Sequence, residues 1–360
     1  MPIGRLLLIA LLLSSRLTAQ DSPRIAPDGS VSFEIQAPKA TEVVLRGQWN
    51  KEKAPLQRGE KGLWSLTVAD IPSGVWEYSF LVDGLAMIDP LNPELKPQRN
   101  PRTSILHLPS DPPAPWDFQD VPHGTVHRHS FLGQAAGRPR EVWVYTPPGY
   151  ETSGDQAYPL LVLQHGSGDN HKTWVEHGKA HWILDHLIAS GTAKPMIVMM
   201  IDGHPLGKVS RDDADRKAAS LRAFESELLD EALPIVEARY RVSDKREDRA
   251  ITGLSMGGWQ SLSIGMNHLD QFAWIGSFSG AVDEDEIRPA LDDATGTNEK
   301  LKLLWIACGK DDFLLDRNTL LIATLKKQGI HHDWRLTEGG HSWPVWRGYL
   351  ADFLPLLFQD

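Results

Sequence analysis

From residue 121 to residue 360, short apolar runs alternate with longer amphipathic segments. The apolar runs have the length of strands and lie at 141–146, 158–164, 195–202, 248–252, 273–278 and 302–307. The segments with helical periodicity lie at 179–190, 218–240, 256–268, 314–328 and 345–358. Several predicted strands are apolar on both faces, which is typical of a parallel sheet covered by helices on both sides. The alternation predicts an α/β fold with a mostly parallel sheet.

Residues 20–108 follow a different pattern, with short β-branched and aromatic runs separated by turn residues. The runs that predict strands lie at 31–37, 41–47, 63–69 and 75–82. Their number and size favour a small immunoglobulin-like β-sandwich. Four prolines in residues 109–120 then predict a semi-rigid, extended linker to the second block, which occupies residues 121–360.

The first nineteen residues have the pattern of a secretory signal peptide. Arg5 precedes an apolar run at 6–13, and Ala19 offers a small residue for cleavage. The run is too short to span a bilayer. We therefore predict that the signal is removed, leaving a secreted or periplasmic protein without a membrane anchor.

Charge and cysteine content exclude several classes of function. The net charge of −10 argues against a broad surface for nucleic acid or anionic membranes. The single cysteine, Cys308, excludes an intramolecular disulfide framework and a thiolate metal cluster. We predict neither a metal site nor a cofactor.

The strongest motif is G-x-S-x-G, formed by Gly253, Ser255 and Gly257 between a predicted strand and a predicted helix. A serine on such a sharp turn has a strained backbone, and the glycines allow neighbouring segments to approach closely. The turn exposes the Ser255 hydroxyl at the N-terminus of the following helix, where a developing oxyanion is stabilised. The motif predicts a nucleophilic serine.

A base and an acid follow in the order expected of an α/β-hydrolase. Asp311 and Asp312 come after the strand at 302–307, and His341 lies in a Gly-Gly loop near the end of the chain. We prefer Asp312 as the acid because it lies far enough beyond the turn at Gly309 to reach back toward the histidine.

A third loop, after the strand at 158–164, carries His165, Gly166 and Ser167. Its backbone predicts the second half of an oxyanion hole, with the N–H groups of Ser167 and Met256 as the two donors. Loops that carry three further candidates for substrate contact are expected to surround the same pocket. These candidates are His171, Trp174 and His204.

The second block resembles carbohydrate esterase family 1, the branch of the α/β-hydrolases that holds feruloyl and acetylxylan esterases. The matching strings are HGSGDN, KPMIVMMIDGH, ELLDEALPIVEARYRV, REDRAITGLSMGGWQSL, FAWIGSFSGA, CGKDDFLL and GGHSWPVWR. The resemblance implies Ser255 as nucleophile, His341 as base, Asp312 as its partner, and Ser167 and Met256 as oxyanion donors. Trp259 departs from the small residue that is frequent in the family, so we expect it to alter the pocket wall.

Residues 28–108 resemble the family 48 carbohydrate-binding module, an early-set immunoglobulin-like domain. The strings that carry this resemblance are VSFEIQAPKATEVVLRGQWN, GLWSLTV, VWEYSFLVDG and DPLNP. Two roles remain open for this block. It either packs beside the active site, or contacts sugar through Trp49, Trp64 or Trp76, which would require an exposed aromatic platform.

Together these resemblances imply a secreted serine esterase that acts on feruloyl or acetyl esters of plant xylan. The expected partner is a plant polysaccharide or a small ester. The alternatives are a siderophore trilactone esterase, an acyltransferase, and a carbohydrate-binding protein with an idle hydrolase domain. We expect residues 121–360 alone to turn over small esters.

Overall fold

The computed structural model describes residues 22–207 and 214–359, so the predicted signal peptide at 1–19 lies outside the described residues. Residues 22–108 form two antiparallel sheets. The strands are β1 (Arg24–Ile25), β2 (Val31–Gln36), β3 (Val43–Gly47), β4 (Ala54–Pro55), β5 (Gln57–Arg58), β6 (Leu63–Val68), β7 (Gly74–Val82), β8 (Leu85–Met87) and β9 (Ser104–Leu108). One sheet has the order β1-β2-β6-β5; the other has the order β4-β3-β7-β8, with β9 also paired to β7.

The two sheets share one apolar core, which includes Phe33 of the first sheet and Tyr78 and Phe80 of the second. This packing agrees with the predicted sandwich, while its immunoglobulin-like classification stays a prediction. Three tryptophans considered for sugar binding pack against this core. Trp64 is buried, and Trp49 and Trp76 are half-buried. Of the three, Trp49 and Trp76 keep partly exposed side chains, so sugar stacking by this block stays a prediction.

The proline-rich segment at 109–120 is not the extended linker that the sequence predicts. The Asp117 carboxylate accepts hydrogen bonds from the backbone N–H groups of Ser110 and Ala114, each at 2.8 Å. Its other oxygen lies 2.7 Å from Nε2 of His107 on β9. These bonds bring both ends of the segment to one buried carboxylate, so the chain folds back rather than extending.

The second block contains one eight-stranded sheet. Its strands are β10 (Thr125–Gly133), β11 (Arg138–Thr146), β12 (Leu160–Gln164), β13 (Ile197–Ile201), β14 (Arg249–Gly253), β15 (Trp274–Phe278), β16 (Leu303–Gly309) and β17 (Asp333–Thr337). Their order is β10-β11-β13-β12-β14-β15-β16-β17. The pairs from β13 to β17 are parallel, whereas β10 with β11 and β11 with β13 are antiparallel. The prediction of a mostly parallel sheet is confirmed.

The described helices connect and cover these strands. They are α1 (Thr173–Glu176), α2 (Ala180–Ala189), α3 (Ala214–Ser226), α4 (Leu233–Arg239), α5 (Met256–Asn267), α6 (Arg288–Asp292), α7 (Ala294–Lys300), α8 (Leu315–Gln328) and α9 (Trp343–Phe353). The single helix predicted at 218–240 is divided by a π-helical turn at Glu227–Ala232. Pro234 follows this turn and has no N–H to continue the regular α-helical pattern, which accounts for the interruption.

Alternate residues of the strands pack into two different cores. Val142 and Val162 belong to one core, and Trp143 and Leu161 belong to the other. Since successive side chains of a strand point to opposite faces, the sheet is buried on both sides. Among residues 22–207 and 214–359, no helix combines the length and apolarity needed to cross a membrane.

Candidate active site

Ser255 lies at the turn between β14 and α5, as the G-x-S-x-G motif predicts. Its backbone has φ 52° and ψ −113°, a strained conformation for a residue with a side chain. The N–H of Ser255 donates to the carbonyl of Phe278 at 2.8 Å, which fixes the turn against β15. A Cβ atom on Gly257 would lie 2.5 Å from the carbonyl oxygen of His165. The close approach of the neighbouring loop thus requires glycine at this position.

Three predicted side chains meet above the carboxyl ends of the strands. Nε2 of His341 lies 2.8 Å from Oγ of Ser255. Nδ1 of the same ring lies 3.0 Å and 2.9 Å from the two carboxylate oxygens of Asp312. This is a continuous hydrogen-bonded chain from an acid through an imidazole to a hydroxyl, which is the arrangement that makes a serine nucleophilic.

The environment of Asp312 keeps its carboxyl ionised. Burial alone would raise the pKa of this group, but hydrogen bonds from His341, the Ser279 hydroxyl and the Leu314 N–H lower it below its usual value. The neighbouring Asp311 is exposed. The buried, anionic Asp312 can therefore stabilise a positive charge on His341, consistent with the preference for Asp312 over Asp311.

Two aromatic rings hold the His341 imidazole in place. Trp346 packs edge-on against it, with ring centroids 4.8 Å apart, and Phe313 lies at 4.3 Å. The indole N–H of Trp346 donates to Oγ of Ser279 at 3.0 Å. These contacts restrict the ring to the plane in which it meets both Ser255 and Asp312.

Ser167 and Met256, the predicted oxyanion donors, line one cavity together with Ser255. Met256 is the first residue of α5, so its N–H points out of the positive end of a helix dipole. The loop of Ser167 is fixed by the ring of His165, which donates from Nδ1 to the carbonyl of Gly166 at 2.8 Å and accepts from the N–H of Gly203 at 2.9 Å.

The cavity has a volume of about 460 Å³, within the usual range for a small-molecule site. Of the four predicted substrate contacts, Trp259 and His204 line it. The predictions for Trp174 and His171 are wrong. Trp174 is buried in the core, where its indole N–H donates to the carbonyl of Gln164 at 2.8 Å. His171 points instead toward Glu141, at 3.0 Å from Nε2.

Several lining residues were not identified from the sequence. The apolar ones are Ala281, Phe313 and Leu314, and the polar or charged ones are Arg99, Lys217, Ser220, Gln260 and Arg317. Phe313 and Leu314 directly follow Asp312, so their position in the chain was a usable signal. Arg99 comes from the first block, where nothing in the local pattern indicates a contribution to the site.

A cluster of His165, Asp202 and His204 lies beside the cavity, with one potential metal-ligating atom of each residue within 4.8 Å of the others. Oδ1 of Asp202 accepts from Nδ1 of His204 at 2.9 Å. Burial lowers the pKa of His204 to about 4, so the ring is neutral at neutral pH. Nε2 of His165 already accepts a hydrogen bond from the N–H of Gly203. Hydrogen bonds that shape the oxyanion loop therefore account for the positions of these three side chains.

Comparisons with known proteins find esterases among those similar to this chain. An endo-1,4-beta-xylanase/feruloyl esterase from Xylanibacter ruminicola is 28% identical over 94% of this chain, which spans about half (46%) of that protein's length. The iron(III) enterobactin esterase of Escherichia coli is 26% identical over 76% of this chain and 68% of its own length.

Two solved structures share the fold. A ferulic acid esterase has a TM-score of 0.57 and 27% identity, covering 65% of this chain and 97% of its own. The enterobactin esterase of Shigella flexneri has a TM-score of 0.63 and 21% identity, covering 91% of this chain and 92% of its own. The Esterase family model matches residues 133–357, more than half of the sequence. The chain therefore belongs to the Esterase family of carboxylic ester hydrolases.

Proposed function

We propose that the protein is a secreted serine esterase that hydrolyses feruloyl or acetyl esters on plant cell-wall xylan. The observation that carries the proposal is the unbroken hydrogen-bonded chain from Asp312 through His341 to Ser255, which faces a cavity of about 460 Å³. The feruloyl esterase named among the relatives motivates the choice of substrate. Secretion is proposed from the signal-like residues 1–19.

In the proposed reaction, Nε2 of His341 removes the hydroxyl proton while Oγ of Ser255 attacks the ester carbonyl. The tetrahedral oxyanion accepts hydrogen bonds from the N–H groups of Ser167 and Met256. His341 then returns the proton to the departing alcohol, leaving an acyl-serine. Water, activated by the same imidazole, attacks this acyl group and releases the acid.

The cavity lining supports the choice of an aromatic acyl group. Met256, Trp259, Ala281 and Phe313 all line the cavity, and a hydroxycinnamoyl ring can pack against their apolar surfaces. The indole of Trp259 is oriented by a 2.8 Å hydrogen bond from Nε1 to a carboxylate oxygen of Glu286.

A second candidate, a siderophore trilactone esterase, is favoured by one observation. The solved enterobactin esterase matches this chain across both blocks, whereas the solved ferulic acid esterase covers 65% of it. Feruloyl esters and catechoyl siderophores both carry an aromatic ring, so binding of a ring does not separate these two candidates.

Initial rates on methyl ferulate, p-nitrophenyl acetate and a linear catechoyl-serine ester, measured in parallel, separate these functions. We expect turnover of methyl ferulate or p-nitrophenyl acetate and a loss of at least ~10⁴-fold in Ser255→Ala. Turnover confined to the catechoyl ester would replace the xylan proposal by the siderophore one. Absence of measurable hydrolysis of all three esters would contradict the esterase proposal.

A further inference from the structure

The charged residues that line the catalytic cavity all have the same sign. They are Arg99, Lys217 and Arg317, and among the described lining residues there is no carboxylate. The chain as a whole carries 47 acidic residues against 37 basic ones, so a lining whose described charged residues are all basic does not follow from the composition. A cavity lined by one sign of charge raises the local concentration of ligands of the other sign.

Two of these three cations already have acidic partners. Arg317 lies 2.6 Å from a carboxylate oxygen of Asp283, and Lys217 lies 3.6 Å from one of Glu286. Arg99 is different, because within residues 22–207 and 214–359 no carboxylate lies within ion-pair distance of its guanidinium. Its positive charge is therefore available to a ligand in the cavity.

Arg99 is carried to the cavity by a segment of the first block that is fixed on the oxyanion loop. We call residues 96–99 the strap. The N–H of Arg99 donates to the carbonyl of Gly168 at 2.9 Å, and Gln98 pairs with Asp169 in an antiparallel bridge. The carbonyl of Pro97 accepts from Oγ1 of Thr173 at 2.7 Å. Because the strap backbone is bound on successive residues, the Arg99 side chain starts from a fixed point at the rim of the cavity.

We infer that Arg99 is a specificity-determining residue of the esterase site and binds a carboxylate on the substrate. The proposal rests on the esterase function proposed above and adds to it the class of ester, one with a negative charge near the scissile bond. A guanidinium matches a carboxylate with two parallel N–H donors, and such charge-assisted bonds are stronger than neutral ones. In this proposal the cavity-lining rings of Trp259 and Phe313 contact the uncharged part of the same substrate.

Two pairs of esters test this inference and locate the carboxylate. Chlorogenate and methyl caffeate share an acyl group, and chlorogenate has a carboxylate on the alcohol part. Mono-p-nitrophenyl glutarate and p-nitrophenyl butyrate share a leaving group, and the glutarate has a carboxylate on the acyl part. In Arg99→Ala we expect the charged-to-neutral ratio of kcat/KM to fall by about 10- to 100-fold in at least one pair, mainly through KM.

Arg99→Lys keeps the positive charge but lacks the planar pair of N–H donors. Its charged-to-neutral ratio of kcat/KM should lie between those of Arg99→Ala and the wild type. Arg102→Ala is the matched control, since Arg102 is an exposed arginine of the same connection and does not line the cavity; it should leave both ratios unchanged. In the wild type, 0.5 M NaCl should weaken the preference for the charged ester.

Two results would overturn the inference. If Arg99→Ala lowers kcat/KM equally for charged and neutral esters, Arg99 stabilises the fold or the oxyanion loop and does not bind the substrate carboxylate. If Arg99→Ala leaves kcat/KM at the wild-type value for all four esters, Arg99 does not contact the substrate. Either result leaves the proposed esterase function intact. If the wild type turns over none of the esters, both the esterase function and the role of Arg99 are refuted.

Discussion

Lys96 joins the two blocks through a buried ion cluster, and its removal should destabilise the protein strongly. Its ammonium lies 3.0 Å from Glu77 of β7 and 3.4 Å from Asp169 of the oxyanion loop. The three side chains are 8%, 17% and 6% exposed, respectively. Lys96→Met keeps the apolar length of the side chain and removes the charge, which leaves the largely buried carboxylates of Glu77 and Asp169 without this cation.

The size of the effect follows from the distances. At 3.4 Å and an effective dielectric constant of about 20, two unit charges attract by about 5 kcal/mol before the cost of dehydration is counted. Removing one partner of a buried pair typically costs about 3–5 kcal/mol of unfolding free energy. We expect a loss in this range for Lys96→Met at pH 8.

The loss should depend on pH through Asp169. Burial raises the pKa of this carboxyl even with Lys96 beside it, and without the lysine the pKa should rise further. A carboxyl whose pKa is higher in the folded than in the unfolded state favours folding at low pH, and this contribution is lost as the pH rises through the folded-state pKa. The destabilisation should therefore be smaller at pH 5 than at pH 8.

Urea unfolding at both pH values, followed by tryptophan fluorescence, measures these quantities. Lys51→Met is the control, because Lys51 is an exposed lysine of the same block; it should change the unfolding free energy by less than about 0.5 kcal/mol. If Lys96→Met has the stability of the wild type, or a deficit that is identical at pH 5 and pH 8, the reasoning about this buried cluster is wrong.

Three further predictions concern the site and the core. Asp312→Asn should lower kcat for p-nitrophenyl acetate by about 10⁴-fold, since an amide stabilises the wrong tautomer of His341, whereas the exposed neighbour variant Asp311→Asn should stay within about twofold. Gly348→Ala should raise the unfolding free energy by about 0.5–1 kcal/mol in a thermal or urea titration, because a Cβ there meets nothing within 4 Å in the middle of α9; a decrease would show a clash. Burial raises the pKa of the Cys308 thiol to about 12, so iodoacetamide at pH 8 should label it in urea but not in the native protein, and rapid native labelling would contradict its burial.

The sequence predicted most of the elements that position the site, because the relevant signals are local. The predicted strands at 248–252 and 302–307 have apolar centres. The turn after the first carries Ser255 and the turn after the second carries Asp312. β10 was missed for a physical reason. It is an edge strand that alternates polar and half-buried residues such as His127 and Arg128, so it lacks the apolar run by which the central strands were identified.

Trp174 shows a different limit. Trp174 lies in the short helix α1, just after the loop that follows β12. A tryptophan there can point either into the pocket or into the core, and the sequence around it fits both. In the structure its ring packs between Trp343 and Phe278, with centroids 4.9 Å and 6.4 Å away. Its partner Trp343 on α9 is far from Trp174 in the sequence, so only the three-dimensional packing shows that the Trp174 side chain points into the core and not into the pocket.

The contribution of the first block also could not be predicted locally. Turnover of small esters by residues 121–360 alone stays a prediction, and the strap places Arg99 at the cavity and holds the loop of Ser167. The buried guanidinium of Arg347 on α9 adds a contact, donating to the carbonyl of Val75 at 3.4 Å. These contacts join distant parts of the chain, and they argue that a chain beginning at residue 121 would lose both stability and charge selectivity.

The central claim is that Ser255 is the nucleophile of an esterase. The most direct measurement is the mass of the intact protein, and of its Ser255 peptide, after incubation with diethyl p-nitrophenyl phosphate, which traps activated serines. We predict a single diethylphosphoryl group on Ser255, formed in step with the loss of esterase activity, and no adduct in Ser255→Ala. An unmodified Ser255 in a protein that still hydrolyses esters, or full activity in Ser255→Ala, would contradict the account.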